Sequence, residues 1–317
     1  MNNFAVCLMG TTAAGKTDVA IELCQHFPFD IVSVDSALVY RGMDIGTAKP
    51  DAATLRRTPH RLIDIRDPEE RYSAGDFVRD ARREMASIFA AGRWPLLVGG
   101  TMLYFRALTR GLAKLPQGDA DVRAAIDADA LERGWPVVHA RLREVDPAAA
   151  KRINPNDSQR IQRALEVFEI SGRSLTDWQD DVEPKQGGSV IEFVKIALQI
   201  PQRQVLHDRI EKRLDTMFRN GFVDEVAGLM QRPALTPELP SMRAVGYRQV
   251  WAHLTGQYAL EEAQYRALVA TRQLAKRQIT WLRSETELFS CDPLEAACVD
   301  TISAFLEALP RINNSGD

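Results

Sequence analysis

The chain has 317 residues, a formal net charge of −3, 45% hydrophobic residues and 26% charged residues. This is enough for one large domain or two modest ones with a buried core, and it excludes a wholly disordered or fibrous chain. The slightly negative balance argues against wholesale wrapping of nucleic acid, so any RNA contact must be a local patch.

The opening MNNFAVCLMGTT lacks a basic leader, and no apolar run is long enough to cross a bilayer, so a cytoplasmic protein without membrane association is expected. Cys7, Cys24, Cys291 and Cys298 form no close pair in sequence and no set at zinc spacing, which predicts inert thiols rather than a disulfide framework. The histidines His26, His60, His139, His207 and His253 show no helical i, i+4 pair, so a histidine metal site is unsupported.

In chain order, Phe4 to Met9 is a short apolar run ending in Gly10 and predicts a buried parallel strand. Lys16 to Gln25 carries Val19, Ala20, Leu23 and Cys24 at helical spacing, giving strand, glycine loop and helix in succession. Ile31 to Val34 and Pro95 to Val98 predict two more buried strands. After Leu115 the pattern breaks at Pro116-Gln117-Gly118, and residues 119 to 175 read as helical. Gly187 and Gly188 precede Glu192 to Ile200, where the chain re-enters the sheet, and helices dominate from Gln202 onward. The expected fold class is α/β, a parallel phosphate-loop sheet core flanked by helices. Its core is expected over 1–115 and 189–317, with a helical insertion domain over 116–188.

Gly10-Thr11-Thr12-Ala13-Ala14-Gly15-Lys16-Thr17 fits G-x-x-x-x-G-K-[ST]. In that pattern backbone N–H groups turn inward around phosphate oxygens at a helix N-terminus, the lysine adds a point charge, and Thr17 offers a hydroxyl to Mg²⁺. By itself the loop does not name the reaction: most such loops hold ATP or GTP, so the default reading is a small-molecule kinase or a nucleotidase. Asp35 ends the second strand, where open α/β sheets build their sites. It reads either as the cap of the next helix or a water-mediated Mg²⁺ ligand, or as a general base. Tyr40 to Pro50 combines two glycines with Arg41 and Lys49, and reads as part of the site or as a solvated loop.

Taken together, these residues resemble the bacterial tRNA dimethylallyltransferases, also called tRNA isopentenyltransferases. The likeness runs through Gly10 to Thr17, Ser33 to Ser36, Tyr40 to Pro50, Pro59 to Asp64, Leu97 to Thr101, Asn156 to Glu166, Val245 to Arg248 and Thr271 to Leu282. Departures are Thr11 and Ala14, where the commonest family loop has Pro and Ser, and Arg61, where many members carry His; Thr11 and Ala14 leave the backbone cradle possible, at the cost of a side-chain hydroxyl.

The resemblance implies transfer of a dimethylallyl group from dimethylallyl diphosphate to N6 of the adenosine just 3′ of the anticodon, in tRNAs reading codons that begin with U, with release of diphosphate. It implies that Gly10 to Thr17 hold the diphosphate, with Mg²⁺ as cofactor on Thr17. Asp35 becomes the base, and Lys16, Thr17 and Arg213, in the basic helix His207 to Arg219, the remaining catalytic groups. Implied tRNA contacts are Asp35, Ser36, Ala37, Leu38, Thr101, Arg123, Gln159, Arg160, Ile161, Gln162 and Arg163, with Thr12 also near the adenine. The partners are the anticodon stem-loop and dimethylallyl diphosphate, and a monomer is expected. The target base must swing out of its loop.

The periodicity places Gln159, Arg160, Gln162 and Arg163 on one arc of a helix and Ile161, Leu165 and Phe168 on the other. That polar arc suits phosphates or is a plain solvated face. Between Gln264 and Ser284, Arg272, Lys276 and Arg283 fall on one stripe, offset by an acidic tail beyond. Trp251 and Trp281 read as base-stacking or as core. Competing readings are a phosphate-loop kinase, a nucleotide-regulated RNA binder and an adenylate isopentenyltransferase; residues 116–188 and the basic C-terminal helices are more than a mononucleotide needs.

Overall fold

The computed structural model describes residues 3–181 and 191–309. Along the first stretch run β1 (Phe4–Gly10), α1 (Lys16–His26), β2 (Phe29–Val34), α2 (Ala52–Arg57), β3 (His60–Arg61), α3 (Ala74–Ala90), β4 (Trp94–Gly99) and α4 (Met102–Arg110). Five helices follow: α5 (Ala120–Arg133), α6 (Trp135–Val145), α7 (Pro147–Arg152), α8 (Ser158–Ser171) and α9 (Leu175–Asp180). The chain then continues through β5 (Glu192–Leu198), α10 (Arg203–Arg219), α11 (Phe222–Leu229), α12 (Tyr247–Leu254), α13 (Leu260–Arg283), β6 (Leu288–Cys291) and α14 (Cys298–Glu307). It divides into one unit of Met1–Thr109 with Ser189–Asp317 and a second of Arg110–Gly188. Gly187 and Gly188, the expected break before β5, lie outside the described residues.

The first unit is built on a six-stranded sheet in the order β3-β2-β4-β1-β5-β6, with every pairing parallel. All seven residues of β1 are buried because successive side chains serve opposite faces. Phe4, Val6 and Leu8 enter a core with α1 and α14, while Ala5, Cys7 and Met9 enter the larger core under α3, α4, α11 and α12. Each fully buried aliphatic side chain of this kind contributes roughly 1.5–3 kcal/mol. Trp251 and Trp281 pack partly buried against the larger core, favouring the core reading for both.

Register positions the site. Gly99 at the end of β4 pairs with Met9 of β1 on one side and Val34 of β2 on the other. The carboxyl ends of β2, β4 and β1 therefore line up along one edge, delivering Asp35, Gly100-Thr101 and the loop after Gly10 in a row. The chain crosses to the other side of β1 after β4, so strand order reverses beside β1, where such sheets bind ligands.

Two strands escape the sequence reading. β3 is two residues long and β6 four, and both are sheet edges, too short to display a period of two. The fold also brings together two cysteines far from adjacent in sequence. Cys291 and Cys298 are buried free thiols with sulfur atoms 3.0 Å apart.

The second unit carries its own core, in which Ile126, Ala130, Val138, Leu142, Ala149, Ile161, Ala164 and Leu165 meet. Four of its described helices begin at side-chain caps: Asp119 before α5, Asp146 before α7, Asp157 before α8 and Ser174 before α9 accept N–H bonds of the first turn. Asp146 also accepts the Thr176 hydroxyl at 2.7 Å, tying α7 to α9. No described helix of either unit is long and apolar enough to cross a membrane.

Candidate active site

The phosphate loop takes its shape from two left-handed residues, Ala13 at φ 61° and Gly15 at φ 87°. Gly15 adopts this region freely, whereas Ala13 does so at roughly 1–2 kcal/mol, so its surroundings must hold it there. They do: Arg209 of α10 donates its Nε–H to the Ala13 carbonyl at 2.9 Å. Thr11 is buried with its hydroxyl unpartnered among the described residues, an orphan polar atom inside the loop. Lys16 folds back onto the loop, its Nζ donating to the Thr11 carbonyl at 2.7 Å. Thr17 is half-buried, beside Lys16 in the first turn of α1.

Cations crowd this loop with little to neutralise them. Burial lowers the Lys16 ammonium from its ordinary 10.5 to about 8, Arg213 pushes it the same way, and Asp35 opposes. Burial likewise lowers Arg213, Asp35 pulls it back up and Arg209 adds repulsion. Arg213 also donates to the Thr47 carbonyl at 3.3 Å. Among the described residues no carboxylate forms a direct ion pair with Lys16, Arg209 or Arg213. Arg213 repels both Lys16 and Arg209, an arrangement around the loop that suits an anion.

Asp35 lies within electrostatic reach of Lys16 and Arg213 and performs a structural task as well. Its Oδ1 accepts the N–H groups of Ala37 at 2.8 Å and Leu38 at 3.3 Å, closing the turn after β2. Oδ1 thus holds a turn rather than capping a helix, since the next helix begins only at Ala52; Oδ2 makes no hydrogen bond among the described residues. Ser36 donates its N–H to the Thr101 hydroxyl at 3.2 Å, which joins the expected RNA contacts at the ends of β2 and β4.

The Tyr40 to Pro50 segment is no solvated loop. Lys49, with a side chain only 4% exposed, donates to the Tyr40 carbonyl at 2.9 Å and to Asp44 and Asp64 at 2.6 and 2.5 Å. Glu225 of α11 accepts the N–H groups of Asp44, Ile45 and Gly46 and the Tyr247 hydroxyl. Two glycines alone would leave such a segment loose; these charged ties hold it.

Arg123 and Gln159 to Arg163 fall in the second unit, and here the expectations need correction. Ile161 is fully buried in that unit's core, so its side chain is unavailable to RNA and helical periodicity read it correctly. Arg123 and Arg163 do not stand free. Both bind Glu166, a fully buried carboxylate, with Arg123 Nε at 2.8 Å and Arg163 Nη1 at 2.6 Å, and Arg163 also donates to the Pro116 carbonyl at 2.9 Å. Burial alone would raise the Glu166 carboxyl, yet the hydrogen bonds from Arg163, Arg123 and the Asp119 N–H hold it below its ordinary value. Gln162 donates to Asp127 at 2.6 Å. Arg160 is 70% exposed with only a loose 3.5 Å contact to Asp157, and Gln159 is exposed beside it. In the first unit, Arg272 of the expected α13 stripe is paired with Glu211 at 2.8 Å, leaving Lys276 and Arg283 exposed.

Two residues at the loop were missed. Arg209 precedes Arg213 by one helical turn, a spacing that puts both on one face, and that signal was present in the sequence. Gln278 is a buried polar side chain in the stripe Ala275, Gln278, Leu282, and a glutamine inside an apolar stripe also marks a specific partner.

Comparisons with known proteins agree with this geometry. The sequence matches the family described as IPP transferase over residues 38–285. It is 54% identical over 305 residues to the tRNA dimethylallyltransferase of Paraburkholderia xenovorans (strain LB400), covering 95% of this chain and 97% of that protein. To the tRNA dimethylallyltransferase of Thiobacillus denitrificans (strain ATCC 25259 / T1) it is 53% identical over 308 residues, covering 96% and 97%. Among solved structures, the full-length tRNA isopentenylpyrophosphate transferase of Bacillus halodurans superposes with a TM-score of 0.70 at 34% identity, covering 98% of this chain and 99% of that one. With the strand order, the phosphate loop and these full-length likenesses in agreement, the chain belongs to the IPP transferase family, the tRNA dimethylallyltransferases.

Proposed function

We propose that this enzyme transfers a dimethylallyl group from dimethylallyl diphosphate to the exocyclic N6 of the adenosine 3′-adjacent to the tRNA anticodon, in tRNAs reading codons that begin with U, releasing diphosphate. The observation that carries the reading is the trio Lys16, Arg209 and Arg213 around the phosphate loop, without a direct ion pair among the described residues, and with one oxygen of Asp35 open beside it. A leaving diphosphate gathers negative charge as the bond from the allylic carbon to oxygen breaks, and fixed cations and amides stabilise that charge without reorganising. The adenine amine is a poor nucleophile because its lone pair is delocalised. As N6 forms its bond to the allylic carbon, Asp35 accepts the proton that N6 must lose, an assistance worth about 10² to 10⁴ in rate.

The residues present fit Mg²⁺ held chiefly by substrate. Among the described residues no group of three His, Cys, Asp or Glu could hold a metal alone. A Thr17 hydroxyl joined by diphosphate oxygens and waters is a suitable donor set for this cation. When bound, Mg²⁺ would neutralise part of the departing charge. Ser36, Ala37, Leu38 and Thr101 then meet the flipped adenosine, and Arg123, Gln159, Arg160, Gln162 and Arg163 the RNA, with Arg160 the most exposed of its cations.

The test is incubation with dimethylallyl diphosphate, Mg²⁺ and unmodified tRNA, followed by digestion and mass analysis of nucleosides. The expected product is an adenosine heavier by one dimethylallyl group. Prenylation of free AMP with tRNA untouched would transfer the assignment to nucleotide prenylation, and no prenylation of either would refute it.

A further inference from the structure

The phosphate loop and the Asp35 turn sit on different strands, and something must keep the leaving group and the base at a constant separation. Backbone pairing does part of this, because Gly99 bonds in register between Met9 and Val34, but the register ends there. Beyond the strand ends a single side chain from the far C-terminal half bridges the gap. Gln278 of α13 accepts the Thr12 N–H through Oε1 at 2.9 Å and donates from Nε2 to the Gly100 carbonyl at 2.8 Å. Gln278 is 6% exposed, and its bond to Gly100 is buried, which limits competition from water. Having both a donor and an acceptor partner fixes the orientation of the amide. The fit is tight from the other side too: a Cβ on Gly100 would lie 2.5 Å from Gln278 Nε2. From Gly100 the connection continues, since Thr101 donates its N–H to the Val34 carbonyl at 3.3 Å and its hydroxyl accepts the Ser36 N–H.

We propose that Gln278 is a positioning residue that locks the diphosphate loop to the Gly100-Thr101 turn, so that leaving group, acceptor base and Asp35 are held in one frame. The inference rests on the proposed function and adds a residue to it. Gln278 touches no reacting atom; it acts through Thr12 and Gly100. Its bond also takes the Thr12 N–H out of the phosphate cradle, and the Ala14 N–H is bonded to the Thr11 carbonyl at 3.3 Å, which leaves the remaining loop amides, the Thr11 hydroxyl and Lys16 for the diphosphate.

Misplacement of reactants by about 1 Å costs on the order of 10²-fold in rate. The variant Gln278→Met keeps the length and neither donates nor accepts, and should lower kcat by about 10- to 100-fold while tRNA affinity stays within about twofold. Gln278→Glu keeps an acceptor for Thr12 but sets a carboxylate against the Gly100 carbonyl, and should show the same split between kcat and tRNA affinity. It serves where the methionine variant fails to fold. Inhibition by inorganic pyrophosphate should weaken in both, reporting the loop directly. Gly100→Ala, which displaces the amide from the opposite side, should reproduce the kinetic defect. A folded Gln278→Met enzyme with kcat and pyrophosphate inhibition within twofold of wild type would overturn the proposal. So would an equal loss of kcat and tRNA affinity in both Gln278 variants, which marks general damage. Wild-type transfer is measured first: its absence removes the function itself, whereas normal wild-type transfer with unaltered variants removes only the role of Gln278.

Discussion

Two clusters of basic side chains occupy this molecule, and they are built on opposite principles. At the phosphate loop Lys16, Arg209 and Arg213 bond backbone carbonyls, and among the described residues none of them forms an ion pair; Arg213 repels both Lys16 and Arg209, with Asp35 opposing at Lys16 and Arg213. In the second unit Arg123 and Arg163 close on the fully buried Glu166, whereas Arg160 stands largely in solvent. The lesson is that a count of cations says little until their partners are known. The first cluster is arranged to suit an anion, whereas Arg123 and Arg163 of the second already have one in Glu166.

That contrast can be sharpened first at Asp35, where the largest effect is expected. Asn at this position keeps an oxygen for the Ala37 and Leu38 N–H groups and loses only the proton acceptor. Asp35→Asn should lower kcat by about 10² to 10⁴ with unchanged thermal stability. Asp35→Ala should lose the activity and also destabilise the turn by roughly 1 kcal/mol. Wild-type turnover in the asparagine variant, measured by single-turnover transfer, would reduce Asp35 to its role in the turn.

The next effect is on pH. With the Lys16 ammonium lowered to about 8, the free enzyme loses this cation as pH rises through that value. Above it, kcat/KM for the prenyl diphosphate should fall by up to about tenfold per pH unit, while bound diphosphate shifts the titration upward. The sign for folding is the opposite one: between about 8 and the ordinary 10.5 the unfolded chain holds the proton and the folded chain does not, so this group's contribution to stability rises with pH there. A kcat/KM profile flat from pH 7 to 10 would show that Lys16 keeps its charge or does not meet the substrate.

The smallest effect concerns the arginines of the second unit. Arg160→Gln should weaken tRNA binding and lower the slope of log affinity against log salt by about one, as loss of one phosphate contact does. Arg163→Gln should chiefly lower the stability of that unit, because it strips a partner from buried Glu166. If filter binding across a salt series gave Arg163 the larger slope change, the division between available and engaged cations would fail.

Much of this was legible in the sequence for local reasons. The Gly10 to Thr17 loop, the helix beginning at Lys16 and the strand ending before Asp35 are encoded by contiguous residues whose spacing directly sets backbone geometry. What was not legible depends on contacts across long stretches of chain. Gln278 reaches Thr12, Arg209 reaches Ala13 and Glu225 reaches Ile45, and spacing along the chain carries no record of those meetings. Ile161 illustrates the same boundary from the other direction. Helical periodicity put it on the apolar face, the family likeness put it among RNA contacts, and the structure sides with periodicity because burial is a local consequence of pattern.

The central claim is that the phosphate loop grips a group that leaves rather than one that is transferred. Dimethylallyl diphosphate labelled with ¹⁴C in the prenyl chain and ³²P in the diphosphate, reacted with unmodified tRNA in a single turnover, tests it directly. The account predicts carbon label on the adenosine and phosphorus label in free diphosphate, one for one. Phosphorus label retained on the acceptor would contradict it.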